Sequence, residues 1–146
     1  MRHFPRYEAA ALTLLLGACS APQPPVGHWQ GAYEDPALMI VAWLEIDPAG
    51  RVRVSAPNAI MDRVVLNESE RAELHARLEN GLASSWKSVA PIALEFDGHV
   101  FHKPGGVAPQ LEWDGAAKRM TLIYYSGNRP SVRVPLEPVA DFDAPP

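Results

Sequence analysis

Few residues of this chain have the type and spacing that catalysis or metal binding requires. Its 146 residues include five histidines, of which His99 and His102 are neighbours on one predicted strand and His28 lies far upstream. Imidazoles are common metal ligands, but residues three apart on a strand point to opposite faces, so His99 and His102 could share an ion only across a bulge. Because neither a cysteine nor an H-E-x-x-H helix accompanies them, we interpret all three as surface or edge residues and expect no metal.

The serines and glutamates also lack catalytic patterns. Ser84 and Ser85 are not part of the G-x-S-x-G turn that exposes a hydrolase nucleophile, and the chain has neither a Walker nor a dinucleotide-binding glycine loop. A general acid must be buried to raise its pKa, whereas four carboxylates fit a solvated helix face: Glu68, Glu70, Glu73 and Glu79. The sequence therefore favours a protein that is not an enzyme and binds no cofactor.

The single cysteine, Cys19, lies between an apolar run and a proline-rich stretch. A short basic segment opens the chain, residues 9–16 are apolar, and Gly17 and Ala18 directly precede the cysteine. This is the outline of a secretory signal peptide. Its apolar core has about eight to ten residues, whereas a permanent transmembrane helix needs roughly 20, so we expect the segment to be removed.

The order Leu16-Gly17-Ala18-Cys19 resembles the lipobox of bacterial lipoproteins. The resemblance implies that residues 1–18 are cleaved, that the Cys19 sulfur carries a diacylglycerol, and that the new amino group is acylated, as with palmitate. Two or three acyl chains anchor a protein stably, whereas one does so only marginally. Since Ser20 follows where some lipoproteins carry a retaining aspartate, the resemblance implies an outer-membrane lipoprotein facing the periplasm. An ordinary secretory signal followed by a chance cysteine, or by a buried free thiol, is the alternative.

Cleavage before Cys19 would leave 128 residues with a net charge of −5, instead of −4 for the full chain. A mildly acidic body argues against nucleic acid and against electrostatic docking on anionic lipid, so the lipid alone would attach it to the membrane. Residues 19–26 contain three prolines, and we expect them to form a lipidated, extended and solvated tether. We expect one domain over residues 27–139 and a loose tail over residues 140–146.

Period-two alternation dominates the domain and predicts seven to nine antiparallel strands. One run alternates over a single face: Leu38, Ile40, Ala42, Leu44 and Ile46. Turn residues over 47–50 and at Asp97-Gly98 predict two hairpins. Further alternating runs lie within residues 92–96, 100–103, 111–113, 120–125 and 132–136.

One segment has helical rather than strand periodicity. Asn67 and Glu70 resemble a capping box, and we expect Glu73 and Arg77 to pair across one turn. An apolar stripe recurs every four residues: Leu74, Leu78, Leu82 and Trp86. These features predict one amphipathic helix of about 12 to 18 residues that buries its stripe against the sheet, with Asn80-Gly81 as an early end.

Short antiparallel strands with one helix inserted midway predict a mainly β fold, either an antiparallel curved sheet or a small barrel, with the helix across an open end or face. The opening residues Gly27-His28-Trp29-Gln30-Gly31 resemble the G-x-W signature of lipocalin-like barrels, in which the tryptophan closes the floor and the interior holds a small apolar ligand. Lipocalins, however, carry their helix after the eighth strand. A tryptophan that simply fills the core is the alternative.

The sequence leaves three classes of function. We favour a lipid-anchored, non-enzymatic envelope module that binds another envelope protein. The second class is a lipocalin-like carrier of a small apolar ligand, which needs an empty interior that about 110 ordered residues enclose with difficulty. The candidate pocket or core aromatics are Trp29, Trp43, Phe96, Trp113 and Tyr124. An enzyme is the least favoured class.

Overall fold

A computed structural model describes residues 20–142 of the chain. The expected signal peptide, Cys19 and residues 143–146 lie outside this part. Nine strands and one α-helix follow in the order β1 (Gly27–Glu34), β2 (Leu38–Ile46), β3 (Val52–Ser55), β4 (Asn58–Ile60), α1 (Glu68–Ser85), β5 (Glu95–Phe96), β6 (Val100–His102), β7 (Pro109–Asp114), β8 (Arg119–Tyr124) and β9 (Val132–Val139). A 3₁₀ turn, Trp86–Ser88, continues directly from α1.

The strands form one antiparallel sheet that curls into a half-barrel. Its order is β3-β2-β1-β9-β8-β7-β6-β5, with β4 also paired to β2, so most neighbours in the sheet are neighbours in the chain. The exceptions are the pairing of β4 with β2 and that of the first and last strands, in which His28 lies opposite Val139. The expected mainly β fold of seven to nine antiparallel strands with one helix inserted midway is confirmed.

β2 is the centre of the packing because it is buried on both faces. Its even-numbered apolar residues share one face, as the alternation predicts, and that face belongs to the concave core. Val41 and Trp43 lie on the convex face, where Leu82 of α1 packs against them. The concave core comprises Trp29, Leu38, Ile40, Ala42, Leu44, Ile46, Val52, Phe101, Leu111, Met120, Leu122, Val134 and Leu136. Burying each large side chain contributes about 1.5–3 kcal/mol.

Both predicted hairpins are present. The Asp47 carboxylate accepts hydrogen bonds from the Ala49 and Arg51 amides, at 2.9 Å each, and Gly50 has a φ of 78°. At the second hairpin the Asp97 carboxylate accepts in the same way from the amides of His99 in the turn and Val100 at the start of β6. Each aspartate thus satisfies backbone donors that the tight turn leaves unpaired.

The helix begins at the predicted capping box. The Glu70 amide donates to Asn67 Oδ1 at 2.9 Å, and the Asn67 amide donates to Glu70 Oε2 at 2.8 Å. The expected early end at Asn80-Gly81 is wrong, because α1 continues through Gly81 to Ser85. Among residues 20–142, no helix is both long enough and apolar enough to span a membrane.

The apolar stripe of α1 is buried less evenly than its spacing predicts. Leu82 is fully buried, whereas Leu78 and Trp86 are partly buried against Val41 and Trp43. The ion pairs of the described chain do not include the expected one between Glu73 and Arg77. Arg71 pairs instead with Glu34, and His75 Nδ1 lies 3.4 Å from Glu79 Oε1.

Candidate functional site

Four of the five candidate aromatics lie on the concave side of the sheet. Trp29 belongs to the concave core, and Phe96, Trp113 and Tyr124 pack against it half-buried. The rings of Trp29 and Trp113 meet edge to face with centroids 5.8 Å apart. The fifth, Trp43, lies on the convex face, so it does not line the same interior. Because β2 is apolar on both faces, its alternation did not indicate which face, that of Trp43 or that of Leu44, lines the concave interior.

Trp29 carries an unsatisfied polar atom. Its side chain is 3% exposed, and its Nε1 is the one buried side-chain nitrogen or oxygen of residues 20–142 without a hydrogen-bond partner. A buried donor without a partner costs about 1–3 kcal/mol. The concave core around it consists of apolar side chains, so an acceptor atom of a bound molecule or an ordered water would satisfy this donor.

An aromatic cluster covers the convex face. Phe142 stacks on Trp43 with ring centroids 4.4 Å apart and planes within 4° of parallel. The ring of Trp86 meets the ring of Phe142 edge to face at 4.9 Å. The tail that we expected to be loose from residue 140 is therefore packed at least to Phe142. A single phenylalanine near the chain end carries no sequence signal for this contact.

Arg53 of β3 connects this cluster to the sheet. Its guanidinium donates to Glu45 Oε1 at 3.2 Å and to the backbone oxygens of Trp86 and Val89 at 2.6 and 3.0 Å. It also lies 4.5 Å over the Trp86 ring, a cation–π distance. The second Glu45 oxygen lies 3.0 Å from His28 Nε2. Since each of these groups has a structural partner, the network holds the end of α1 against the sheet.

The three candidate histidines have separate surroundings. His28 contacts Glu45, and His102 Nδ1 lies 3.6 Å from a Glu95 oxygen. His99 is exposed in the turn between β5 and β6. Across residues 20–142, no group of three or more histidine, cysteine, aspartate or glutamate side chains is placed to hold a metal ion.

β3 and β4 form one interrupted edge strand along β2. The Val41 amide donates to the Pro57 oxygen at 3.1 Å, and the Met61 amide donates to the Ala37 oxygen at 2.7 Å. In an antiparallel ladder the bonded pairs alternate, so odd-numbered residues of the edge bond to β2 and even-numbered residues direct their N–H and C=O groups outward. Val52 uses its outward groups in two bonds with Ile92, at 3.0 and 2.7 Å.

Further along this edge, the outward groups meet no strand of the described chain. They belong to Ala56, Asn58 and Ile60, and β4 pairs with β2 alone. The Asn58 side chain reaches across the open sheet to the Tyr124 hydroxyl, and the Asp62 carboxylate pairs with Arg129. These two contacts hold β4 in place. The sequence did not predict β4, which is only three residues long.

An apolar groove of about 330 Å³ lies between β4 and α1. Its lining comprises Ala59, Ile60, Met61, Val64, Leu66 and Leu74, with Glu70, Glu73 and Arg77 at the rim. Beside it, Ile60 and Val64 are each 55% exposed and Val65 is 99% exposed. We name Ile60, Val64 and Val65 the apolar corner. Its only sequence signal is the run Val64-Val65-Leu66, which belongs to no alternating pattern.

The tether contacts the domain instead of extending freely into solvent. Pro24 and Pro25 are half-buried. A Cβ placed on Gly50 would lie 3.4 Å from Pro24 Cγ, and one on Gly98 would lie 3.6 Å from Pro22 Cβ. The tether therefore runs across the two hairpin turns at one end of the half-barrel, and the expectation of a fully solvated spacer is wrong for these residues.

Comparison of the chain with protein-family models, curated protein sequences and solved structures finds no significant match.

Proposed function

We propose that this protein is a lipid-anchored, non-enzymatic module of the bacterial cell envelope that binds another envelope protein. The observation that carries the binding role is the apolar corner, where Ile60, Val64 and Val65 are exposed beside a groove lined by apolar side chains. Exposed apolar side chains beside an apolar groove are typical of interaction sites. A partner that covered this corner would remove these side chains from water.

The anchoring role rests on the lipobox order Leu16-Gly17-Ala18-Cys19. A diacylglycerol on the sulfur and an acyl chain on the amino group would supply enough buried methylenes for stable attachment, which one chain does not. With Ser20 in the next position, we place the protein at the outer membrane, facing the periplasm.

The concave interior favours a protein-binding module over a carrier. Thirteen apolar residues are buried there in mutual contact, whereas a carrier needs space for its ligand. A small domain that fills its interior with side chains uses that interior for stability. Recognition is then left to the surface.

A carrier of a small apolar ligand is the second candidate, and one observation favours it. Trp29 Nε1 is a buried donor without a partner, and a ligand with an acceptor oxygen, such as a fatty acid, would satisfy it. Ligands that bind only the folded state raise its stability with concentration. A melting temperature that rises with added fatty acid in the wild-type chain, but not in Trp29→Phe, would support the carrier over the binding module.

The anchor is tested by replacing the cysteine. We expect Cys19→Ala to abolish incorporation of a fatty-acid analogue and to move the protein from the membrane to the soluble fraction. Ser20→Ala is the matched control, because it leaves the lipobox intact. Continued acylation of Cys19→Ala would refute the anchor.

The binding role is tested with a photo-crosslinking residue placed in living cells at Val65 or at Val107. The two valines are 99% and 97% exposed, but only Val65 belongs to the apolar corner. We expect a discrete cross-linked envelope partner from position 65 and none from position 107. The same cross-linking pattern from both positions would refute the proposal.

A further inference from the structure

We propose that the partner binds as an added β-strand on the free edge of β4. This inference rests on the proposed binding function and names the chemistry of the partner: an extended segment of about five residues with apolar side chains at alternate positions. The edge strand presents both a row of unpaired backbone groups and an adjacent apolar groove. The two features share Ala59 and Ile60.

The unpaired backbone groups of the edge have the spacing that pairing with another strand requires. The bonds that pair Pro57 and Met61 with β2 direct the N–H and C=O groups of Ala56, Asn58 and Ile60 away from the sheet. Each outward residue offers one donor and one acceptor at the spacing of an antiparallel ladder. Edge strands in this state accept pairing with a further chain unless charge, proline or a covering element blocks them. Pro57 lies within this edge, but it faces β2 and therefore removes no outward donor.

The side chains beside the edge determine which residues an added strand needs. Opposite partners in a ladder share a face, so Ala59, opposite Met39, faces the convex side, where α1 packs. Residues of the added strand on that side would enter the groove and contact Val64, Leu66 and Leu74. Residues on the other side would face Ala56 and Tyr124, which are half-buried at the margin of the concave core.

The rim of the groove adds a preference for positive charge in the partner. Glu70 and Glu73 contribute two carboxylates and Arg77 one guanidinium. The ion pairs formed within residues 20–142 include neither Glu73 nor Arg77, while Glu70 accepts the bond of the helix cap. The rim is therefore net negative. A lysine in the partner segment would complement it.

The test uses synthetic hexapeptides that alternate valine or leucine with threonine and end in lysine, bound to the full chain. Each peptide is made in two forms, N-methylated on the amides of the apolar residues or on those of the threonines. Only one set of amides can face the edge, because alternate residues of a strand point opposite ways. We expect one form to bind at least about tenfold more weakly than the unmethylated peptide, and the other to bind within about twofold.

A protein variant gives an independent readout. Ala56→Pro removes one outward N–H without touching the ladder to β2, and proline is tolerated at such positions of edge strands. We expect it to weaken peptide binding by about tenfold, while Ala56→Ser, which keeps the N–H, leaves the affinity unchanged. Amide exchange should show Ala56, Asn58 and Ile60 unprotected in the free chain and protected in the complex.

Three results would overturn strand addition. They are equal affinity of the two methylated forms, no binding by any peptide of the panel, and protection of Ala56, Asn58 and Ile60 in the free chain as strong as that of Ala59. If a partner is cross-linked at Val65 and any of these three results is also obtained, the proposed binding function is supported and strand addition is refuted. If peptide binding depends on which set of amides is methylated but no partner is cross-linked at Val65, strand addition on β4 is supported and the proposed envelope partner is refuted.

Discussion

The backbone oxygen of Pro135 in β9 occupies the space that a side chain on Gly31 of β1 would need. A Cβ atom on Gly31 would collide with that oxygen and would lie 3.0 Å from Leu136 Cδ2. β1 and β9 join the two ends of the domain into one sheet. Their close approach therefore depends on the absence of a side chain at Gly31.

We expect Gly31→Ala to lower the free energy of unfolding by about 1–3 kcal/mol or more, since backbone must shift to relieve the overlap. The same substitution at Gly81 should have the opposite effect. Gly81 lies within α1 with open space around it, and alanine there should stabilise by about 0.5–1 kcal/mol. Urea unfolding of the two variants measures both effects. Equal effects would contradict the close approach at Gly31.

The burial of α1 predicts a ranking of three substitutions. Leu82→Ala should cost about 2–5 kcal/mol, because Leu82 is fully buried and its loss leaves a cavity. Leu78→Ala should cost less, because Leu78 is only partly buried. Glu73→Ala should cost under about 0.5 kcal/mol, as exposed residues do. Thermal melts that place Glu73→Ala above Leu82→Ala would show that α1 packs through another face.

Phe142 should contribute to stability although it lies near the end of the chain. Aromatic contacts contribute about 0.5–1.5 kcal/mol beyond their buried area, and Phe142 contacts both Trp43 and Trp86. We expect Phe142→Ala to lower the free energy of unfolding by at least about 1 kcal/mol and to change the tryptophan fluorescence of the folded protein. Phe142→Tyr should preserve both properties. An unchanged spectrum for Phe142→Ala would contradict the packed tail.

Acid should destabilise the fold partly through Asp35. The Tyr33 hydroxyl and then the Ala37 amide donate to its carboxylate, at 2.7 Å each, and these bonds hold the pKa of Asp35 below its usual value. The stabilisation is fully present above the unfolded pKa of about 3.9, and it is lost as the pH falls through that value towards the lower folded pKa.

Asp35→Asn removes this titration while its amide oxygen can still accept the backbone bonds. We expect the free energy of unfolding of this variant to fall less steeply than that of the wild type between about pH 5 and pH 3. Tyr33→Phe, which removes the largest cause of the lowered pKa, should reduce the slope in part. Denaturant titrations at stepped pH measure these slopes, and identical slopes for all three proteins would contradict the role of Asp35.

The sequence predicted those structural features that depend only on residues close together in the chain. Strand alternation, the turns at Asp47 and Asp97, and the capping box of Asn67 and Glu70 all follow from period and local backbone hydrogen bonding. The mainly β fold with one helix inserted midway followed from them and is confirmed. The order Leu16-Gly17-Ala18-Cys19, which resembles a lipobox, is likewise a local pattern, and the proposed anchor rests on it alone.

Only the tertiary structure decided which face each element buries. β2 is apolar on both sides, so nothing in its alternation indicates that Trp43 faces α1 while Leu44 faces the concave core. Local sequence patterns also did not predict three other features. These are the continuation of α1 through Gly81, the contacts of Phe142 with Trp43 and Trp86, and the free edge of β4. Each depends on how residues far apart in the chain are arranged in space. A pattern among sequence neighbours contains no information about which distant helix or strand will pack against them.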